Sequence, residues 1–68
     1  MGIKVQMGAL DVVKPNSKKL DAEGWETIID ECFVNDALEQ LVRMLNNNQI
    51  SQENKCFRIV AGKTVIKL

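Results

Sequence analysis

The sequence predicts an α+β domain: a small antiparallel sheet in ββ-α-α-ββ order, with two helices packed on one face. Three observations predict it. Apolar residues alternate near both ends of the chain, at Ile3, Val5 and Met7 and again at Phe57, Ile59, Ile66 and Leu68, the two-residue period of half-buried strands. Between them, apolar residues recur at helical spacing in two stretches, 22–33 and 38–45. Gly62-Lys63 stands where a glycine-first two-residue turn would join the last two strands. The same elements suit an alternative, a winged helix-turn-helix with residues 55–68 as the wing.

The first strand reads from Ile3 to Met7. Gly8-Ala9 then offers a tight turn that pairs Met7 with Leu10 and Val5 with Val12, against a single bulged strand running through Gly8. Pro15-Asn16-Ser17-Lys18-Lys19 reads as a loop. Residues 22–33 follow as an amphipathic helix capped by Asp21. Ala22, Trp25, Ile28, Ile29, Cys32 and Phe33 form its core side, and Glu23, Glu26 and Asp30 its outer side. Gly24 weakens the start of that helix by about 1 kcal/mol relative to alanine.

A second helix is expected from Asp36 to Asn46. Its stripe is Leu38, Leu41, Val42 and Leu45. Continued at one pitch, that stripe would fall roughly 170° from the first, so a turn is expected at Val34-Asn35-Asp36. Asp36 and Glu39 resemble a capping box, and Asn46-Asn47-Asn48 supplies a left-handed residue to end the helix, with Ile50 folding back on the last turn. In the closing hairpin, Gly62-Lys63 pairs Ala61 with Thr64 and Ile59 with Ile66. It gathers Phe57, Ile59, Ile66 and Leu68 on one face, and leaves Cys56, Arg58, Val60, Val65 and Lys67 on the other.

With 68 residues the chain reads as a single small domain, residues 1–68, which buries only about 60% of its unfolded surface. Such a core leans on a metal, a disulfide or a partner subunit. There is no histidine and no CxxC pair, so no metal and no cofactor are expected. Cys32 and Cys56 lie in hydrophobic runs and read as reduced, buried residues of a cytoplasmic protein. A partner subunit remains. Met1-Gly2-Ile3 opens neither a signal peptide nor a myristoylation site, and no apolar run is long enough to span a membrane.

Net charge is zero, but the charges are sorted into blocks. Residues 21–39 hold seven acids and no base, while residues 40–68 hold five bases against Glu53. Charge blocks speak to partners rather than to fold. The candidate protein-binding surface is therefore the acidic helix face of Glu23, Glu26, Asp30 and Glu31, which suits a basic protein partner. Lys55, Arg58, Lys63 and Lys67 are the candidate anion or nucleic-acid contacts. Arg58 and Lys67 stand directly across the hairpin, so an anion or an acidic side chain is expected between them. Catalysis is poorly supplied: histidine and tyrosine are absent, and Gly62-Lys63-Thr64 lacks the rest of a phosphate-binding loop. Trp25 reads as core. The would-be recognition helix carries Asp36 and Glu39 against Arg43 alone, which disfavours DNA.

The function these features imply is a small, non-catalytic protein-binding domain, an adaptor, regulator or inhibitor of a larger partner. It would act through the acidic helix face or an exposed hairpin, whose free edge also invites homodimerisation. The alternative is a winged-helix DNA-binding regulator of phage or plasmid type.

Overall fold

The computed structural model describes residues 2–68, so the reading that involves Met1 lies outside the described residues. Five elements follow one another: β1 (Ile3–Ala9), β2 (Trp25–Glu31), α1 (Val34–Asn46), β3 (Lys55–Ala61) and β4 (Thr64–Lys67). The strands form one antiparallel sheet in the order β2-β1-β3-β4. The fold is α+β as expected, but the order is ββ-α-ββ and one helix, not two, covers the sheet. Because β2 and β3 both run antiparallel to β1, they are parallel to each other. The segment carrying α1 is the crossover between them.

β1 runs straight through Gly8, so the expected turn at Gly8-Ala9 does not form. The glycine serves close approach instead. A Cβ at Gly8 would stand 2.7 and 2.8 Å from the Val13 methyls and 3.2 Å from the Trp25 ring. The chain turns one residue later, where the Val12 and Val13 N–H groups both donate to the Ala9 carbonyl at 2.9 Å. Leu10 and Val12 therefore never pair with Met7 and Val5. β2 and β3 take those two sides.

β2 occupies the place expected for the first helix. Trp25, Thr27, Ile28 and Ile29 are residues that suit a pleated, half-buried surface, and Gly24 at φ +94° separates them from the preceding turn. Val5 pairs with Ile29 but Gln6 pairs with Thr27, which leaves Ile28 as the extra residue of a bulge. A bulge shifts the alternation by one. The apolar positions of this strand thereby lose their two-residue period and fall onto helical spacing. Asp21 caps nothing.

α1 starts at Val34 rather than Asp36. Phe33 is its N-cap, extended at φ −128° and ψ 145°, and makes no side-chain capping bond; Asp36 lies in the first turn, near the positive end of the helix dipole. The other end matches expectation. Asn48 is left-handed at φ +57°. Its N–H donates to the Leu45 carbonyl at 3.3 Å, and the Gln49 N–H donates to the Met44 carbonyl at 2.9 Å. That pair of bonds is a Schellman ending. Ile50 then returns to the core.

The last hairpin has the expected register: Ala61 with Thr64, Val60 with Val65, Ile59 with Ile66 and Arg58 with Lys67. Gly62 is left-handed at φ +61° while Lys63 is not, the pattern of a II′ turn.

The front core joins Val5, Ile29, Ile59, Ala37 and Leu41, with Ile3, Ile28, Met44, Leu45, Ile50 and Phe57 packed around it. Of the expected stripe on α1, Leu41 is buried and Leu45 half-buried, while Leu38 and Val42 are exposed. Small Ala37 is the residue set against the sheet. On the back of the sheet, Val13 and Trp25 close over Gly8, and the segment between β1 and β2 covers Arg58. Both cysteines are free, and Cys32 is exposed rather than buried; Cys56 is half-buried.

Candidate functional site

The four acids expected on a helix face line the edge strand instead. Glu23 lies in the turn before β2 and is exposed. Along β2, Glu26 pairs with Met7, Asp30 with Lys4 and Glu31 with Ile3. The alternation places Glu26 and Glu31 on the front face and Asp30 on the back. Glu31 is half-buried and accepts a hydrogen bond from the Gln40 side chain of α1. The acids thus share an edge, not a face. An edge strand that bears charges and a bulge is guarded against strand addition. The one ion pair among the described residues, Arg43 with Glu39 at 2.7 Å, is an exposed helix pair, worth about 0.3–0.5 kcal/mol.

The four bases separate as well. Lys55 begins β3 and is half-buried, Lys63 is exposed in the turn, and Lys67 is exposed on β4. Arg58 is 0% exposed. No acid stands between Arg58 and Lys67. A polar row crosses the whole back face instead. Gln6 donates through Nε2 to Thr27 Oγ1 at 3.2 Å and accepts through Oε1 from Arg58 Nε at 2.7 Å. Arg58 Nη1 donates to the Ser17 carbonyl at 3.1 Å, and Lys67 Nζ donates to Asn16 Oδ1 at 3.1 Å. The guanidinium carbon lies 4.3 Å from the centre of the Trp25 ring, a cation–π contact worth about 2 kcal/mol when desolvated.

Arg58 therefore pins the loop of residues 10–24 to the sheet, and Trp25 serves the back layer rather than a helix-packed core. Arg58 Nη2 and Trp25 Nε1 are buried with no hydrogen-bond partner. Burial lowers the guanidinium pKa from its ordinary value, while the charge of an ionised Cys56 thiol acts in the opposite direction. The residues that complete this site, Gln6, Asn16, Ser17 and Lys18, read from the sequence only as strand and loop residues. The expected pairing of Arg58 with Lys67 was the one signal pointing to it.

A third feature is the open half of the front face. No Cα of α1 comes within 8 Å of β3 or β4. Ile66 and Leu68, on the helix side of the sheet by their pairing with Ile59 and Phe57, remain 51% and 49% exposed. The flank of α1 beside them is apolar. Gln40 reaches β2 through Glu31, and Leu38 and Val42 stand two residues either side of it, about 200° round the helix. With Ala37 and Leu41 against the sheet, Leu38 lies on the flank away from β2 and Val42 further round toward solvent, and both are exposed. Leu38 and Val42 on the helix and Ile66 and Leu68 on the sheet thus leave an uncovered apolar region, the trough, between α1 and β4.

Among the described residues, no three histidine, cysteine, aspartate or glutamate side chains are grouped to hold a metal ion, and no helix is long and apolar enough to cross a membrane. No family model, curated protein or solved structure matches this chain.

Proposed function

We infer that this chain is a small, non-catalytic protein-binding domain whose partner seats an amphipathic helix in the trough between α1 and β4. The observation that carries the reading is the single helix on a four-stranded sheet. Strands about 4.8 Å apart make a sheet roughly 14 Å wide between its outer axes, and packed helices stand about 8–10 Å apart. The face therefore has room for a second helix, and the exposed Leu38, Val42, Ile66 and Leu68 line its place. A partner helix would offer apolar anchors at i, i+3, i+4 and i+7. The acids Glu23, Glu26, Asp30 and Glu31 lie at the far edge, where they would steer a basic partner during approach rather than hold it.

The DNA-binding alternative is not supported by the architecture, since the described residues hold one helix and no helix-turn-helix. Three baits test the reading by affinity capture from the native host: wild type, Leu38→Ser/Ile66→Ser and Glu26→Lys/Asp30→Lys. The expected result is one protein partner lost with the trough variant, while that variant keeps its thermal midpoint. With the charge-reversed bait, association slows and dissociation is unchanged. Sedimentation at several concentrations shows whether the occupant is a second copy. Salt-sensitive binding to DNA by a monomeric protein, with no partner dependent on the trough, overturns the reading.

A further inference from the structure

Arg58 is a fully buried cation with no carboxylate within 4.0 Å among the described residues, because the one ion pair there lies elsewhere. A buried charge without a counter-charge is costly, and a neighbouring π-face and two neutral acceptors offset that cost only in part. Nε and Nη1 are occupied by Gln6 and Ser17; Nη2 has no acceptor. Arg58 also forms part of the wall of a cavity of about 110 Å³ beneath the 15–18 segment. The other polar walls are Asn16, Ser17, Lys18 and Lys67. Three cationic residues, Lys18, Arg58 and Lys67, thus line one small space, and no acid does. A water occupies about 30 Å³ of liquid volume, so the space suits a small oxyanion with one or two waters.

We propose that this cavity binds a single phosphate group, with Arg58 at its base and Lys18 and Lys67 at its mouth. A carboxylate brings one negative charge to three cations, whereas a phosphate brings up to two and more acceptor oxygens for the ammonium and guanidinium donors. The bound anion would meet the ammonium groups of Lys18 and Lys67, offset the buried Arg58 charge behind the cavity wall, and fasten the 15–18 segment to β3 and β4. The site lies on the back of the sheet, away from the trough, and stands independently of the protein-binding reading.

The only tryptophan in the chain, Trp25, lies against the Arg58 guanidinium and reports on it. The test is to titrate the whole chain with sodium phosphate, sodium acetate and sodium chloride at matched ionic strength, in a buffer free of oxyanions. Phosphate should produce a saturable change in Trp25 emission and a higher thermal midpoint, and chloride neither. Lys18→Ala changes an exposed side chain and should leave the unliganded midpoint in place, while Lys67→Ala also removes the bond to Asn16 and is read against its own unliganded midpoint. Each should weaken phosphate by about tenfold, the equivalent of one charge-assisted hydrogen bond. A phosphate response equal to that of chloride overturns the proposal. So does a saturable response that neither lysine variant alters, since binding then lies elsewhere. Acetate binding as tightly as phosphate overturns the assignment of phosphate.

Discussion

Gly8 and Arg58 show how single residues set the back layer of this protein. Gly8 is the one position in β1 where Val13 and Trp25 can close on the sheet, because a side chain there would meet both. Gly8→Ala forces that layer apart. Overpacking of this kind costs about 1–3 kcal/mol, to be read as a lower midpoint in urea denaturation, with Trp25 emission shifted because its ring is displaced. An unchanged midpoint would mean that the layer contributes nothing to stability. Arg58 depends on a planar fork: Nε reaches Gln6 and Nη1, on another edge, reaches Ser17, while the flat face meets Trp25. A lysine offers neither the fork nor the face.

At the scale of elements, α1 is well finished at one end and poorly at the other. Its C-terminus closes through Asn48 and the bonds to Leu45 and Met44. Its N-terminus has Phe33 in the extended cap conformation, 68% exposed, with no side chain accepting from the first turn. Phe33→Ser should supply that acceptor and raise stability by about 1 kcal/mol, measured as a higher thermal midpoint and slower exchange of the first-turn amides. Loss of stability would show that the Phe33 ring contributes more to packing than its exposure suggests. β2 carries the opposite lesson. Its residues favour a strand, yet the bulge at Ile28 conceals the alternation that would declare one.

Seen whole, the domain sorts its charge across the sheet. β2, one outer strand, is acidic; β4, the other, carries Lys67 and follows Lys63. Both outer strands thus carry charge, which opposes pairing at an edge, and the trough is the open apolar surface. Glu26→Val/Asp30→Val removes the guard from β2 without touching the core. The expected outcome is concentration-dependent association by light scattering beyond that of the wild type under the same conditions. If the variant stays as monodisperse as wild type, the bulge alone suffices to block the edge.

How much of this was legible in the sequence follows from the range of each interaction. The β3–β4 hairpin and the Asn48 ending of α1 depend on contacts within a few residues, and a glycine or asparagine that tolerates positive φ announces them. The α+β class and the direct opposition of Arg58 and Lys67 were readable on the same basis. The fate of residues 22–33 was not, because a strand with a bulge and a helix with one wet face share the same spacing of apolar residues. Nor was the use of Gly8, which answers to Val13 and Trp25 rather than to its chain neighbours. The covered Arg58, its polar row and the vacant place beside α1 arise only when β1 stands between β2 and β3. Local chemistry thus determined the turns and caps by itself, whereas packing between distant segments decided which strand joined which, and so which cations met under one loop.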